Sequence, residues 1–597
     1  MSNTTLPSVF FETVKNYGSK ISLQTKTEGE YRGISYDEMG KRVKNLALGL
    51  ASFGIKKGDK VSILAENRAE WAISDLAILS LGAINVPIYP TLTPHQVEFI
   101  LKDADVKILI ASTSEQVDKI SQIFDNLPFL TRVIYIDKFP NPQEYMSYFK
   151  YINEKGSEFD KQNPGYFDKT IKAIEPNDTC AIVYTSGTTG NPKGVILSHN
   201  NILSNVQAGV DTLHVRSTDQ FLSFLPLCHV FERMAGQFCP FLAGSTIAYA
   251  ESIETVAQNL MEVKPTIMCS VPRLFEKIYV RILENAEAGS PLKKRIFYWA
   301  LKIGQRYSDA EKKGRISTNL KLKHNIASKL VFSKIQAKVG GNLRYFVSGG
   351  APLSKEIGQF FDAVGVKILE GYGLTETSPV ITINLEEKYK FGTVGPALTQ
   401  GGVELKIADD GEILTKGPHV MEGYYNNPQA TQEIIDTDGW LHTGDIGFLD
   451  EDGYLTITDR KKNIIVTAGG KNIAPAPIEN RLVSSPLIEQ VLIVGDKKNY
   501  LSALIVPNVE MLMSHAKNQN INFDNIKELV ENPEVIQYVT GVIEKLTPDL
   551  AQFEQIKTFK LVPNLFTIED NELTPTLKIK RKVVEEKYAD LIDQMYE

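Results

Sequence analysis

The sequence predicts an α/β protein with a large N-terminal lobe of parallel-type sheets and flanking helices, a small β-rich part, and a small α+β C-terminal lobe. At 597 residues the chain exceeds what one hydrophobic core supports, so at least two lobes are expected. Short β-branched runs alternate with helical patterns, as is typical of parallel sheets covered by helices. Near residue 459 the composition changes, which indicates a boundary between lobes.

In the predicted large lobe, short apolar runs that we interpret as strands alternate with helical patterns. The helical pattern is clearest over residues 35–54. The predicted strands are KVSILAE (60–66), VKILIAS (106–112), RVIYID (132–137), TCAIVYTSG (179–187), TIMCSV (266–271) and LRYFVSGG (343–350).

The boundary is marked by residues 438–453, which are punctuated by Gly and Asp, and by the charged run DRKKN at 459–463. Further hairpin-like runs follow it and lead to a charged C-terminal end. We therefore predict one domain over residues 1–459 and a second over residues 460–597.

A basic helical insert is predicted at residues 276–338. Residues 276–335 hold 14 Lys/Arg against 5 Asp/Glu, while the whole chain has a net charge of −7. Apolar residues recur in it at helical spacing: Ile278, Ile282, Leu283, Ile296, Phe297, Trp299, Ala300 and Ile303. The pattern fits either a solvated surface over core-packed helices or a peripheral contact with anionic lipid.

The overall charge and the cysteines exclude several classes of protein. An acidic chain is not expected to have nucleic acid as its main partner. The four cysteines (Cys180, Cys228, Cys239 and Cys269) form no C-x-x-C pair. This spacing disfavours a disulfide framework or a zinc site and favours free, buried thiols in a reducing cytoplasm.

No targeting or spanning segment is evident in the sequence. The N-terminus lacks a basic region followed by an apolar stretch, so no signal peptide is predicted. Residues 76–94 and 234–250 lack charge, but prolines interrupt both. We therefore expect a cytoplasmic protein that meets a membrane, if at all, peripherally at its inner face.

The strongest chemical signal is YTSGTTGNPKGV, residues 184–195. A predicted strand leads into a loop with three glycines, four hydroxyl side chains and Lys193. Such a loop can present backbone N–H groups and hydroxyls to phosphate oxygens, with the lysine adding positive charge. It is not a Walker A loop, because Pro192 stands where that pattern needs glycine.

This loop resembles the signature of the adenylate-forming (AMP-binding) superfamily, and further segments resemble that superfamily in the same order. They are LPLCHVFE (225–232), YGLTET (372–377), GYYNNP (423–428), GWLHTGD (439–445), DRKKNIIVTAGGKNIAP (459–475) and LTPTLKIKRK (573–582). Within the superfamily, the chain is most similar to the long-chain fatty acyl-CoA synthetases. The resemblance implies ATP and CoA as co-substrates, together with Mg²⁺.

The residue types suit this chemistry, because a carboxylate must attack the anionic α-phosphate of ATP and cations must hold the two together. Glu376, with Thr185 as a nearby hydroxyl, is the predicted magnesium site. The residues that the resemblance assigns to the nucleotide are Thr185, Ser186, Gly187, Thr188, Thr189, Gly190, Lys193, Gly349, Gly350, Ala351, Pro352, Glu370, Gly371, Tyr372, Gly373, Thr375, Asp445 and Arg460.

The resemblance also assigns catalytic, hinge and CoA residues. Lys578 is the predicted catalytic lysine, which would offset charge as the carboxylate meets the α-phosphate. His229 is expected to line the passage for the acyl group or CoA, and Arg233 stands where some synthetases carry an aromatic gate. Lys462 occupies the hinge position, about which the small lobe would turn between the two half-reactions. The residues expected to meet CoA are Gly469, Gly470 and Lys471.

The sequence therefore predicts activation of a long-chain fatty acid to acyl-AMP, followed by transfer to CoA with release of AMP. A fatty acyl-AMP ligase that loads a carrier protein is the enzymatic alternative. A peptide-synthetase adenylation domain is disfavoured, because those domains recognise an amino group with an aspartate in the segment where this chain reads CHVFE. A non-catalytic fatty-acid-binding protein is the alternative from another class. No pattern predicts the preferred chain length or the oligomeric state.

Overall fold

The computed structural model describes residues 4–185, 192–567, 570–574 and 578–597. Two eight-stranded sheets form most of the large lobe, and a four-stranded sheet completes it. The small lobe has a two-stranded and a three-stranded sheet with helices. The predicted α/β class is thereby confirmed.

The first eight-stranded sheet is parallel in its central part and antiparallel at one edge. Its strands, numbered along the chain, are β3 (Lys60–Leu64), β4 (Ile84–Ile88), β5 (Ile108–Ala111), β6 (Arg132–Tyr135), β7 (Met146–Tyr148), β8 (Thr179–Thr185), β9 (Lys193–Ser198) and β18 (Gly423–Tyr424). Their spatial order is β18-β9-β8-β4-β3-β5-β6-β7, so the arms of the Gly-rich loop, β8 and β9, lie next to β18.

The second eight-stranded sheet is parallel except for the outermost strand on each side. Its strands are β1 (Ile21–Thr27), β2 (Glu30–Ser35), β10 (Gln220–Ser223), β11 (Thr246–Tyr249), β12 (Ile267–Ser270), β13 (Tyr345–Ser348), β14 (Lys367–Gly373) and β15 (Val380–Ile383). The spatial order is β15-β14-β13-β12-β10-β11-β1-β2.

Amphipathic helices flank these sheets and bury their apolar sides in the core. They are α1 (Leu6–Tyr17), α2 (Tyr36–Ser52), α3 (Ala69–Ser80), α4 (Pro94–Asp103), α5 (Ser114–Ser121), α6 (Phe149–Gln162), α7 (Tyr166–Lys172), α8 (His199–Thr212), α9 (Cys239–Ala243), α10 (Val256–Val263), α11 (Pro272–Glu287), α12 (Pro291–Lys312), α13 (Thr318–Ala327), α14 (Ser333–Lys338), α15 (Lys355–Ala363) and α16 (Pro428–Ile434). A π-helix spans Glu232–Phe238, and another, Ser328–Phe332, joins α13 to α14.

The remaining elements form the small β-rich part and the small lobe. The four-stranded antiparallel sheet consists of β16 (Glu404–Ile407), β17 (Glu412–Lys416), β19 (Leu441–Leu449) and β20 (Leu455–Arg460). The small lobe consists of β21 (Ile465–Val466), β22 (Asn472–Ile473), α17 (Pro475–Leu482), β23 (Ile488–Val494), β24 (Leu501–Pro507), α18 (Val509–Asn518), α19 (Ile526–Glu531), α20 (Pro533–Leu546), β25 (Ile556–Leu561), α21 (Arg581–Lys587) and α22 (Ala589–Asp593). The predicted boundary at 459–460 falls within the last two residues of β20 and stays a prediction.

The strands predicted in the large lobe are all present, within a few residues of their expected ends, as is the helix predicted at 35–54. The insert at 276–338 is helical throughout its main part, and Phe297, Ala300 and Ile303 are buried as their spacing predicts. Trp299 is an exception at 37% exposure, because it lies on the outer side of α12. All four cysteines are free and buried, as expected.

Candidate active site

The arms of the Gly-rich loop place a hydroxyl and an ammonium group opposite each other. Thr185 ends β8, Lys193 begins β9, and the two residues are paired in the antiparallel register. The Thr185 hydroxyl donates to the Lys193 carbonyl at 3.5 Å. The predicted phosphate-binding residues Ser186, Gly187, Thr188, Thr189 and Gly190 lie outside the described residues.

Glu376, Tyr424 and Lys193 form one group, here called the Glu376 cluster. The Tyr424 hydroxyl donates to Glu376 Oε1 at 2.7 Å, and Lys193 Nζ lies 4.9 Å from the centroid of the Tyr424 ring. Tyr424 is 9% exposed and lies in β18, which pairs with β9 opposite Val195. The ring therefore connects the lysine of the Gly-rich loop with the carboxylate of the YGLTET segment.

The Glu376 cluster has the donor type that a magnesium ion prefers. The carboxylate is partly exposed, and among the described residues only the Tyr424 hydroxyl is hydrogen-bonded to it. Over the same residues, no group of three or more His, Cys, Asp or Glu side chains converges to hold a metal. A single carboxylate suits Mg²⁺, which keeps several waters and takes its other ligands from phosphate oxygens.

Tyr372, Asp445, Arg460 and Lys578 form a second group, here called the Asp445 cluster. The Tyr372 hydroxyl donates to Asp445 Oδ2 at 2.6 Å, and Arg460 Nε lies 3.1 Å from Oδ1. Asp445 is only 4% exposed, and it pairs with Arg460 in the register of β19 and β20. Burial, followed by the Asp445 charge, raises the pKa of Tyr372 well above its ordinary value, so its hydroxyl stays a donor.

Lys578 brings the small lobe to the Asp445 cluster. Its backbone N–H donates to the Thr574 hydroxyl at 3.0 Å, and its carbonyl accepts from the Thr574 N–H at 2.8 Å. The residue is accessible to solvent but surrounded by protein atoms. This crowding and the charge of Arg460 lower the pKa of Lys578 to about 8, and Asp445 opposes the shift.

The two glycine-containing segments of the second sheet lie at the carboxyl ends of the neighbouring parallel strands β13 and β14. Ligands of open α/β sheets bind at this edge. Gly349 donates its N–H to the Ser270 carbonyl at 3.2 Å, Gly350 has a φ of +83°, and Ala351 and Pro352 are exposed.

In the second segment, Glu370 is buried, which raises the pKa of its carboxyl to about 8, and the Leu353 N–H opposes this shift. Gly371 lies opposite Ile383 of β15. At Gly373 a Cβ would lie 1.7 Å from the Pro379 carbonyl oxygen, so only glycine fits there. Thr375 begins the short 3₁₀ turn that carries Glu376.

His229 lies near Lys578 and beside an apolar cavity. Burial and the Lys578 charge lower the pKa of His229 to about 4, so the imidazole is neutral at pH 7. The Phe231 N–H donates to its Nδ1 at 3.2 Å, which leaves the proton on Nε2. The same Phe231 lines the cavity.

An apolar cavity of about 30 Å³ lies inside the large lobe. No charged side chain lines it. Its lining residues are Gly209, Leu213, Val215, Phe221, Phe231, Met234, Ala235, Cys239, Ile267, Cys269, Val347, Val380, Ile383 and Leu398. This lining suits an apolar group and offers no partner to a charged one, and its side chains would have to move apart to admit a hydrocarbon chain.

Arg233 has no access to the acyl passage, so it cannot stand in for an aromatic gate. Its side chain is fully buried and bonds Asp75 of α3 through Nε at 2.9 Å and Nη2 at 2.5 Å. Gln237 and Asn85 donate to the same carboxylate. This network holds the π-helix that supplies Met234 and Ala235 to the cavity. A lone aspartate in the apolar helix WAISDLAIL was the available sequence signal for it.

The predicted CoA residues lie away from these clusters, whereas the predicted hinge residue Lys462 follows Arg460 of the Asp445 cluster by two positions. Gly469, Gly470 and Lys471 form the exposed turn between β21 and β22, where Lys471 Nζ lies 5.6 Å from the Phe553 ring centroid. Lys462 lies in an exposed turn directly after β20. Among the described residues, no contact joins the Gly469–Lys471 turn to the Asp445 cluster.

The structure thus brings together Lys193 and Glu376 in one cluster and Tyr372, Asp445, Arg460 and Lys578 in the other. Glu376 follows Tyr372 by four positions along the chain, across the end of β14 and the turn after it. This short stretch of backbone joins the two clusters. Tyr424 is the site residue that sequence reasoning missed. Its segment, GYYNNP, was recognised as part of the resemblance, but a tyrosine in a turn-like segment carries no signal of a carboxylate partner.

Residues 10–425 match the family described as AMP-binding enzyme, and residues 462–597 match the family described as AMP-binding enzyme C-terminal domain. The chain is 38% identical over 594 residues to the long-chain-fatty-acid–CoA ligase FadD15 of Mycobacterium bovis, covering 99% of this chain and 96% of that protein. It is 34% identical to the peroxisomal long chain acyl-CoA synthetase 6 of Arabidopsis thaliana, covering 98% and 84%.

Two solved structures share the fold. One is the anthranilate CoA ligase AuaEII in complex with anthranoyl-AMP, with a TM-score of 0.73 at 21% identity over 99% of this chain and 98% of that one. The other is the A domain of the carboxylic acid reductase from Segniliparus rugosus with AMP and a co-purified carboxylic acid, with a TM-score of 0.73 at 20% identity over 100% and 94%. With the ordered motifs, the two lobes and a match that covers most of its length, the chain belongs to the AMP-binding enzyme family.

Proposed function

We propose that the chain is a long-chain-fatty-acid–CoA ligase, which makes acyl-AMP and pyrophosphate from a fatty acid and ATP and then transfers the acyl group to CoA with release of AMP. The observation that carries this proposal is that Phe231, whose N–H donates to His229, lines the apolar cavity, while the charge of Lys578 acts on the same imidazole. A fatty acid in the cavity would present its carboxylate at that end. The names of the relatives, long-chain-fatty-acid–CoA ligase and long chain acyl-CoA synthetase, support the same substrates.

The proposed first step joins two anions, the carboxylate and the α-phosphate of ATP. The positive charges available for it are Lys193, Arg460 and Lys578. Lys578 would hold the attacking carboxylate and the α-phosphate together and offset the charge that develops on the phosphoryl oxygens. Asp445 would accept hydrogen bonds from the ribose hydroxyls, in place of its present hydrogen bond from Tyr372 and its ion pair with Arg460.

We also propose that Glu376, with the Thr185 hydroxyl, would hold Mg²⁺ together with the phosphates of ATP. The metal would neutralise phosphate charge and orient the pyrophosphate leaving group. Tyr424 would fix the Glu376 carboxylate by its hydrogen bond to Oε1, which leaves Oε2 directed away from that bond for the ion. The site residues therefore have separate tasks, with phosphate and metal at the Glu376 cluster and ribose and carboxylate at the Asp445 cluster.

The experiment that tests this function is incubation of the purified chain with ATP, Mg²⁺, palmitate and CoA. AMP and palmitoyl-CoA should appear in equal amounts. A fatty acyl-AMP ligase would instead form acyl-AMP and release no acyl-CoA. It would need a carrier protein to turn over. Absence of both AMP and pyrophosphate with every fatty acid from acetate to oleate would contradict both activities.

A variant of the cavity tests the substrate class. Ala235 lines the cavity from the π-helix, so Ala235→Phe should fill part of it. Each methylene of the chain contributes about 0.8 kcal/mol on burial, or about fourfold in kcat/KM. The wild type should therefore gain steeply from octanoate to palmitate, and the variant should lose palmitate activity while it retains octanoate activity. Equal losses on both acids would point to a damaged fold and against this use of the cavity.

We further propose a cytoplasmic protein that contacts an anionic membrane peripherally through the insert at 276–338. Among the described residues, no helix combines the length and apolar character needed to cross a bilayer. Between residues 292 and 330 there are 11 Lys/Arg and 2 Asp/Glu, and only Lys294 and Lys312 of these cations form ion pairs with described residues.

Large apolar side chains are exposed among these cations. Leu322, Ile326 and Leu330 follow one another at four-residue spacing and are 62%, 46% and 46% exposed. Lys321, Lys323 and Lys329 flank them, and Leu292 and Trp299 are exposed on the neighbouring α12. Aliphatic side chains interleaved with lysines suit the surface of an anionic bilayer, from which a fatty acid could also be taken up.

Sedimentation with phosphatidylcholine vesicles, with and without phosphatidylglycerol, tests the membrane contact. Binding should require the anionic lipid and weaken as salt rises, since surface charges are screened over about 10 Å at 0.1 M salt. Combined replacement of Leu322, Ile326 and Leu330 by Ser should reduce it, whereas replacement of Phe448 and Leu449, exposed on β19, should not. Binding that ignores both salt and the first variant would contradict the proposal.

A further inference from the structure

An ion pair joins the two lobes at a distance in sequence from every motif described above. Arg273 begins α11 in the large lobe, and Glu489 lies in β23 of the small lobe. Arg273 Nη2 donates to Glu489 Oε2 at 2.5 Å, and Nη1 donates to the Glu489 carbonyl at 2.9 Å. The guanidinium therefore binds both the side chain and the backbone of Glu489, and these two hydrogen bonds fix the orientation of the two residues as well as their distance.

This contact is the one charge pair between the lobes that lies away from their boundary. At the boundary itself Arg460 pairs with Asp445, and Lys461 pairs with Asp410 and Glu412. Beyond these two residues, Arg273–Glu489 is the single ion pair that joins the described residues of 4–459 to those of 462–597. The other hydrogen bond that involves a side chain is from the Ala476 N–H to Asp459 at 3.0 Å, and it lies beside the hinge position. A contact so close to a pivot constrains rotation weakly, so the orientation of the small lobe depends on the pair at Arg273.

In the same orientation Lys578 lies close enough to Asp445, Arg460 and His229 for its charge to act on them. We propose that Arg273 is a positioning residue, whose ion pair with Glu489 holds the small lobe in the orientation for acyl-AMP formation and must open before the thioester step. This inference rests on the proposed function. Arg273 contacts none of the site residues, so its effect is carried by the lobe as a rigid body.

The surroundings of the pair suit a contact that forms and breaks. The side chains of Arg273 and Glu489 are 26% and 31% exposed, so water can replace each partner without the cost of a fully buried charge. Asn508 donates to Glu489 Oε1 at 3.1 Å within the small lobe. On the large lobe, Glu276 lies 3.2 Å from Arg273 Nη1 and provides a second partner when Glu489 leaves.

Assays of the separate half-reactions test the proposal. Arg273→Ala should reduce palmitate-dependent ATP–pyrophosphate exchange about fivefold, as expected for a partly exposed charge pair. Thioester formation from supplied palmitoyl-AMP and CoA should stay unchanged or rise. Glu489→Gln keeps the size of the side chain and the backbone carbonyl, so it should lower exchange about twofold. Arg481→Ala, which removes the Arg481–Asp549 pair inside the small lobe, is the matched control and should alter neither assay.

The reversed pair separates orientation from stability. Arg273→Glu should lower exchange at least as much as Arg273→Ala, and Glu489→Arg in the same chain should restore part of it. Parallel losses in both half-reactions, or exchange equal to wild type in Arg273→Ala, would overturn the proposal. Absence of exchange in the wild type with every fatty acid would instead refute the proposed function, so the two failures are distinguishable.

Discussion

Two segments of the small lobe differ in how they meet the large lobe. Lys578 reaches the Asp445 cluster, whereas the turn of Gly469, Gly470 and Lys471 is exposed on the same lobe. One orientation of a rigid lobe presents only one of these segments to the site. With the proposed roles of these residues, the observed orientation suits acyl-AMP formation, and the CoA step requires the lobe to turn about the segment after β20.

The largest expected effect comes from replacing Lys578, which belongs to the segment of the small lobe that lies near the Asp445 cluster. Lys578→Ala should lower ATP–pyrophosphate exchange with palmitate at least about 100-fold, by analogy with the loss of one donor that stabilises transition-state charge. Thioester formation from supplied palmitoyl-AMP should change little, because the lysine belongs to the other orientation. Exchange is measured with labelled pyrophosphate, and the second step by thioester release.

Lys582→Ala is the matched control for that variant. Lys582 is an exposed lysine of the same basic segment, four residues after Lys578. Exchange that falls equally in both variants would assign the effect to the overall charge of the segment and would remove Lys578 from the active site.

The second prediction concerns the turn between the two orientations. Lys462→Pro fixes φ near −65° at the predicted hinge. The Lys462 N–H makes no backbone hydrogen bond to the described residues, so the observed orientation should survive the change. Thioester formation should fall at least about tenfold, a rise of ~1.4 kcal/mol in its barrier, while pyrophosphate exchange is largely retained.

Lys462→Ala separates stiffness from charge in this test, because it removes the ammonium and leaves φ free. It should retain both half-reactions. A proline variant in which both half-reactions proceed at wild-type rates would contradict the hinge assignment.

The sequence predicted the fold better than it predicted the relations between site residues. Alternating strands and helices are local patterns, and each predicted strand of the large lobe is present. The Asp445–Tyr372 bond and the Arg233–Asp75 pair join residues that are distant in sequence, so no local pattern reports them. Asp75 is an example, because the apolar sequence of its helix does not indicate which cation pairs with its carboxylate.

The third prediction tests the cluster that lies wholly in the large lobe and does not depend on the orientation of the small lobe. Tyr424→Phe keeps the ring beside Lys193 and removes the hydroxyl from Glu376. A hydrogen bond to a charged group contributes about 1.5–3 kcal/mol, so apparent Mg²⁺ affinity in the presence of ATP should fall about tenfold or more. Binding of Mn²⁺ to the enzyme with a non-hydrolysable ATP analogue, read by electron paramagnetic resonance, measures this without catalysis.

Tyr425→Phe is the control for the third prediction. Tyr425 is the neighbouring tyrosine, and its hydroxyl has no part in the Glu376 cluster. Unchanged Mn²⁺ binding in Tyr424→Phe would show that the carboxylate is held sufficiently by its 3₁₀ turn.

The smallest expected effect is a pH dependence of acyl-AMP formation that arises from Lys578. Crowding and Arg460 lower the pKa of Lys578 to about 8 in the free protein, so its positive charge is nearly complete at pH 7 and half lost at pH 8. Since kcat/KM for ATP in acyl-AMP formation reports the free enzyme, it should fall about twofold from pH 7 to pH 8 and further above it. Bound phosphates favour the ammonium form, so kcat should keep its value to higher pH than kcat/KM.

Lys578→Arg stays charged throughout this range, because a guanidinium does not titrate here. The activity that this variant retains should therefore not change between pH 7 and pH 8. A wild-type fall in kcat/KM that persists unchanged in Lys578→Arg would assign the titration to another group, and the comparison of the two segments would lose its electrostatic support.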